Sequence, residues 1–322
     1  MWLNRPGLQP SQRDRCACYF ALVYSLCRLL QAEDLHKVSG QPGTASFPAV
    51  SPPDLSLIAQ EKPWMNSLGM KFVPLEGTSI LISVWETRVQ DFDAFVRDMR
   101  RPACTNMFSL RKNGWERHGD TWEHPGFVQG PTHPVVGVSW EDAGEFCQWL
   151  TRKEQKEGRL TAGQHYRLPL DLEWSRAVGE DSEIGDPPAP RYSKRTVYPW
   201  GATWPPPKAV GNYAGTEARD ANWPEHFQTI PDYDDGYART APVGSFKQNR
   251  LGLYDLGGNA WEWCADEYHP GSPWRILRGG AWNSDNAGDL RSLRRRRALA
   301  QDRDSACGFR CVLALKEPAS MR

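Results

Sequence analysis

The chain has 322 residues, and its 39 Lys+Arg balance 39 Asp+Glu, so no global field favours nucleic acid or an anionic membrane surface. Its length suits one large domain or two modest ones. Fifteen Trp, 28 Gly and 26 Pro point to a loop-rich fold with aromatic filling and away from a helical bundle.

Arg5, Arg13 and Arg15 precede an apolar run from Ala17 to Leu26. That run is too short to cross a bilayer, which takes roughly 20 residues. It has the length of a signal-peptide core with a cleavage point after Ala32, so residues 1–32 read as a signal peptide or an N-terminal extension. The first reading makes the protein secreted or periplasmic, and the second leaves it cytoplasmic. No other segment is a membrane-span candidate. Residues 33–65 read as linker, with Ser39-Gly40-Gln41-Pro42-Gly43-Thr44 and Ser51-Pro52-Pro53 lacking apolar periodicity. A globular domain is expected over 66–315, with a tail at 316–322.

The domain opens with an expected strand in Asn66-Ser67-Leu68-Gly69-Met70-Lys71-Phe72-Val73-Pro74, and a second strand follows over Ile80 to Trp85. Val89, Phe92, Phe95 and Val96 then put one apolar face on a helix from Val89 to Met99. Residues 100–132 are an irregular excursion carrying Trp115 and Trp122. His133 to Trp140 predicts a strand running into a helix capped by Ser139, with Asp142 completing an approximate capping box. That helix presents Ala143, Phe146, Cys147 and Leu150 on one face and stops near Gly158. A further helix carries Leu172-Glu173-Trp174, with Asp171 as its candidate cap.

Five more landmarks follow the opening strand in order: Tyr166-Arg167-Leu168-Pro169, Tyr198-Pro199-Trp200-Gly201, Asn249-Arg250-Leu251-Gly252-Leu253-Tyr254-Asp255-Leu256-Gly257-Gly258-Asn259-Ala260-Trp261-Glu262-Trp263, Leu277-Arg278-Gly279-Gly280-Ala281-Trp282 and Gly308-Phe309-Arg310-Cys311. Together they resemble the formylglycine-generating enzyme, or sulfatase-modifying factor, family over roughly residues 66–315. The resemblance implies an α+β, C-type-lectin-like fold that is loop-rich, with short strands and few helices.

Calcium binding is the leading chemical expectation. Calcium takes six to eight oxygens from carboxylates, amides and carbonyls. Asp255 and Glu262 supply two carboxylates with glycines between them that let the backbone turn inward. The resemblance places one ion on the side chains of Asp255 and Glu262 and the carbonyls of Gly258 and Ala260. It places a second on the side chains of Asn212 and Asp235 and the carbonyls of Tyr213 and Tyr237. Read from residue type alone, the same acids cap turns.

Copper is not expected. Oxidase members of the family hold copper(I) on two cysteines, and those positions are Ser284 and Asp289 here. Copper(I) is soft and selects thiolates, which these hard oxygens do not replace. Ala281 also stands where the active enzymes carry a serine lining the substrate pocket. An iron-using branch of the superfamily needs a histidine triad, and His118, His124 and His133 read better as turn or surface residues. In the animal enzymes the cysteine at the Cys311 position is disulfide-bonded, but its partner's place is taken here by Val178. Cys264 or Cys307 could supply the other sulfur, and free buried thiols fit as well. The arginine run Arg291, Arg294, Arg295, Arg296 and Arg297 reads as solvated or salt-bridged.

The expected function is a calcium-stabilised binding or accessory module without formylglycine-generating activity. The alternatives are an enzyme with another cofactor, such as non-haem iron, and a retroelement-diversified ligand-binding protein whose variable segment spans Asn283 to Asp289. A peptide, protein or glycan ligand is expected near Trp261, Trp282, Asn283, Ser284 and Asp289. Alanine at Trp282 or Asp289 is then expected to weaken binding with little loss of stability.

Overall fold

The computed structural model describes residues 58–180, 197–220 and 222–315. The expected signal segment, most of the expected linker and the tail lie outside the described residues. Trp64–Met65, placed by sequence at the end of the linker, already forms β1 and pairs antiparallel with β2, Lys71–Pro74. Trp64 is buried and packs on Phe72 and Tyr166, which makes this segment part of the domain.

Among the described residues, three α-helices and eleven short strands are joined by long loops. β3, Ile80–Ser83, is shorter than the sequence suggests. α1 is Val89–Met99. β4, Phe108–Arg111, and β5, Gly114–Arg117, make a separate hairpin. α2 is Trp140–Lys156, β6 is His165–Arg167 and α3 is Asp171–Val178. The C-terminal part supplies β7, Trp261–Glu267; β8, Trp274–Arg278; β9, Arg296–Leu299; β10, Cys307–Gly308; and β11, Val312–Ala314.

One sheet has the order β1-β2-β3-β11-β6 and the other β10-β7-β8-β9. The last strand therefore lies between β3 and β6, with Leu313 opposite both Leu81 and Tyr166. The two ends of the domain close through a pairing of high sequence separation. β10 runs parallel to β7 and sets Cys307 beside Trp261, which brings the Gly308-Phe309-Arg310-Cys311 landmark next to the Asp255 loop.

The helices form as their apolar spacing predicts. Phe92 and Phe95 of α1 face Phe146 and Trp149 of α2, and Phe309 closes the group with its ring 5.4 Å from Phe146. Ser139 caps α2: its hydroxyl accepts from Asp142 N at 3.1 Å, and Asp142 Oδ2 accepts from Ser139 N at 3.0 Å. Replacing Ser139 with alanine removes the first of these, and urea unfolding should register a loss of about 1 kcal/mol.

Two local expectations are corrected. The expected strand before Ser139 is a buried connection instead, because Gly137 turns at φ 75 and interrupts the extended run. Asp171 does not cap α3. Glu173 does so, accepting from Leu170 N at 2.8 Å, while Asp171 turns inward to the buried Arg278 and Arg295. Burial alone would raise the Asp171 pKa; the two guanidiniums outweigh it and hold the carboxyl below the ordinary range. Three members of the arginine run are salt-bridged, Arg294 with Asp289, Arg295 with Asp171 and Arg296 with Asp304, while Arg291 and Arg297 are exposed. Arg297 lies 5.3 Å from the Trp274 ring centre.

Of the cysteine alternatives, the structure has free buried thiols at Cys264, Cys307 and Cys311, and the Cys311 Sγ faces that of Cys147 at 3.7 Å. α2 delivers Cys147 and the residue just before β11 is Cys311, so no local spacing reveals the meeting.

Candidate functional site

The segment from Asp255 to Glu262 turns twice before entering β7. Asp255 and Asn259 hold left-handed backbone at φ 56 and 62, and Gly258 does so at φ 89. Gly258 also needs to lack a side chain, since a Cβ there would lie 2.2 Å from the Asn212 carbonyl oxygen. Asn259 N donates to that same carbonyl at 2.9 Å. The Asp255 loop and the Asn212 segment are therefore in direct backbone contact.

Around the first loop three carboxyls gather in the core: Glu86, Asp255 and Glu262. Arg310, also fully buried, is the nearby cation. It grips Glu262 with Nε to Oε2 at 2.6 Å and Nη2 to Oε1 at 2.5 Å, and Trp174 Nε1 adds a bond to Oε2 at 2.9 Å. A carboxylate offers about four lone-pair positions, so Glu262 keeps one on Oε1 for a further partner. Asp255 Oδ2 accepts from Gly244 N at 2.7 Å, while its Oδ1 is buried with no hydrogen-bond partner among the described residues. Burial raises the Asp255 pKa to about 6, with the negative charge of Glu262 adding to it. Burial likewise pushes Glu86 well up, and Asp255 and Glu262 push it further.

The second expected site is built around Asn212. Its Nδ2 faces three oxygens, Asp235 Oδ1 at 3.1 Å, Tyr237 O at 3.2 Å and Arg239 O at 2.9 Å. Its Oδ1 is buried without a partner among the described residues. Asp235 is fixed by Tyr213 N at 2.8 Å and Tyr237 N at 3.0 Å, and burial, helped by Glu217, raises its pKa to about 7. The second set brings Asn212, Asp235 and the Tyr237 carbonyl within hydrogen-bond reach, while the Tyr213 carbonyl accepts from Gly215 N at 2.8 Å; each set keeps one unsatisfied side-chain oxygen. Among the described residues no three His, Cys, Asp or Glu side chains converge to hold a metal. An ion at either place therefore depends on backbone carbonyls, as calcium sites often do.

The five residues expected to meet a ligand divide into two groups. Trp261, Trp282 and Ser284 are buried, at 4%, 1% and 4% exposure; Asn283 and Asp289 are partly open. Trp282 is a core residue. Its Nε1 donates to Ser305 O at 2.9 Å, Phe127 lies 5.4 Å away edge-on, and the Arg239 guanidinium sits 5.0 Å from its ring. Trp115 and Trp223 complete the surround. Trp282 is therefore enclosed by protein, as are Trp261 and Ser284, which leaves Asn283 and Asp289 as the partly open members of the expected set. Ser284 Oγ accepts from Ala281 N at 3.1 Å, and Asp289 pairs with Arg294 and Asn286. Sequence reasoning overlooked Arg239, Phe127 and Trp223, whose meeting with Trp282 is a product of loop packing.

Known proteins agree with this architecture. Residues 75–315 match the family described as sulfatase-modifying factor enzyme 1-like domain. The chain is 34% identical over 192 residues to the inactive C-alpha-formylglycine-generating enzyme 2 of Mus musculus, covering 58% of this chain and 50% of that protein. It is 33% identical over 168 residues to the formylglycine-generating enzyme of Thermomonospora curvata, covering 52% of this chain and 44% of that one. The chain spans about half the length of these curated relatives. PvdO from Pseudomonas aeruginosa shares the fold, with a TM-score of 0.51 and 22% identity over 82% of this chain and 90% of its own. The matched landmarks, the loop-rich α+β architecture and the family match over most of the chain make this protein a member of the sulfatase-modifying factor enzyme 1-like family.

Proposed function

We propose that the protein is a calcium-stabilised binding or accessory module that does not generate formylglycine. The observation that carries this reading is the state of the two positions where oxidase relatives place copper-binding thiols. Ser284 spends its hydroxyl on Ala281 N, and Asp289 spends its carboxylate on Arg294 and Asn286. Neither offers the soft sulfur that copper(I) selects. The relative that is 34% identical is itself named as inactive, which agrees with the reading without deciding it.

Calcium fits the residues present. The donors are hard oxygens, and one buried oxygen in each set, Asp255 Oδ1 and Asn212 Oδ1, has no other hydrogen-bond partner among the described residues. Asp255, Glu262 and the carbonyls of Gly258 and Ala260 would hold one ion. Asn212, Asp235 and the carbonyls of Tyr213 and Tyr237 would hold the other. The ions supply charge balance and cross-link loops, leaving the partly open segment from Asn283 to Asp289 as the ligand face for a peptide, protein or glycan.

Elemental analysis of the full chain purified without chelator should find about two calcium ions per chain and no stoichiometric copper or iron. Removal with EGTA should lower the melting temperature. At free calcium 100-fold above Kd, each ion contributes about 2.7 kcal/mol. A sulfatase-derived peptide incubated with the protein and copper should gain no formylglycine. Stoichiometric redox metal that survives EGTA, or formylglycine in the peptide, would overturn the reading.

A further inference from the structure

Glu86 belongs to neither expected ligand set, yet it is fully buried between β3 and α1. None of its hydrogen-bond partners is a cation. Its Oε2 accepts from Asn259 Nδ2 at 2.7 Å, and its Oε1 accepts from Ala260 N at 3.0 Å. A carboxylate in the core is costly unless its lone pairs are used and its charge is answered. Here both of the bonds it accepts come from a single loop, the one that carries Asp255 and Glu262.

The two contacts fall at a telling place. Asn259 is a non-glycine residue in left-handed backbone, and its side chain is held on both sides. Its Oδ1 accepts from Ala241 N at 2.9 Å while its Nδ2 donates to Glu86. The amide of Ala260 follows directly and is bound by the other oxygen of Glu86. The peptide between Asn259 and Ala260 is thereby fixed in orientation. The carbonyls of Gly258 and Ala260 lie on either side of that peptide. The electrostatics converge on the same place: Glu86, Asp255 and Glu262 all act on one guanidinium, Arg310.

We infer that Glu86 is the positioning residue of the Asp255 loop: it grips Asn259 and Ala260 so that the Gly258 and Ala260 carbonyls meet a divalent cation together with Asp255 and Glu262. This inference rests on the calcium reading above. Glu86 does not touch the ion; it sets the peptide that does. Its lever is two hydrogen bonds to one turn, so its loss affects one of the two ions and leaves the other.

The test uses the full chain, stripped of metal and titrated with calcium chloride by calorimetry, with melting curves at each end point. Glu86→Gln keeps the shape but puts an amide N–H against atoms that already donate. Glu86→Asp keeps the charge but falls one methylene short of the turn. In both variants one of two calcium ions should bind about 10–100-fold more weakly, the range seen when partners behind metal ligands are removed, while the other keeps its wild-type affinity. A purely structural Glu86 would lower the calcium-free melting temperature and leave both affinities unchanged, which would overturn the inference. A wild-type chain that binds no calcium would bring down the calcium reading and this role together. A wild-type chain that binds two ions, with variants that bind two equally well, would remove the role of Glu86 alone.

Discussion

Replacing Arg310 with methionine should cost the domain about 3–5 kcal/mol, the range for removing one partner of a buried ion pair. Arg310 is completely buried and is spent in several directions at once. It clamps Glu262 with two bonds, donates to Tyr254 O at 2.9 Å and reaches Ser83 O at 3.2 Å. Methionine matches much of the length but leaves Glu262 uncompensated beside Asp255 and Glu86. The bonds to Tyr254 and Ser83 also hold the Asp255 loop to β3, so the loss should be cooperative across both sheets. Urea denaturation followed by far-ultraviolet circular dichroism gives the number. In a double-mutant cycle, Arg310→Met with Glu262→Gln should lose clearly less than the sum of the single changes, because the second change removes the orphaned charge. A loss below about 1 kcal/mol for Arg310→Met would mean that water or the neighbouring acids absorb the change.

Replacing Trp282 with alanine should destabilise the domain by about 3–5 kcal/mol, the usual cost of emptying a large aromatic site in a core. The ring is 1% exposed and is enclosed by Phe127, Trp115, Trp223 and Arg239. Alanine would also leave Ser305 O without its donor. This reverses the expectation from sequence, in which Trp282 was a ligand contact that could be trimmed at little cost in stability. Asp289→Ala is the contrast: it removes a partly exposed pair with Arg294, and surface pairs contribute about 0–1 kcal/mol. Melting curves of the two variants side by side separate core from rim. Equal melting temperatures would place the Trp282 ring at the surface and restore the original expectation.

Much of the architecture was legible because it is encoded locally. Phe92 and Phe95 in α1, and Phe146 and Cys147 in α2, announce their helices by spacing alone, and Ser139 with Asp142 announces where α2 starts. The residues of both expected oxygen clusters were legible through landmarks of the family, and the structure does bring Asp255 together with Glu262 and Asn212 with Asp235. What remained hidden depends on side chains that meet across long stretches of chain. Asp171 looked like a helix cap because its position is right for one; it is drawn inward by Arg278 and Arg295, which are more than a hundred residues away in sequence. Cys147 faces Cys311 across 164 residues, and Glu86 reaches Asn259 across 173.

By itself, the sequence determined the family, the placement of the three described helices and the presence of Ser284 and Asp289 rather than cysteines after the Gly279-Gly280 pair, because each of these is a matter of residue identity or of short periodic spacing. Only the tertiary structure decided which charges are buried and which oxygens are left without donors. It also placed Trp282 in the core among Phe127, Trp115, Trp223 and Arg239. Burial and hydrogen-bond satisfaction are properties of everything that surrounds an atom, and here the surroundings come from loops that have no period to read.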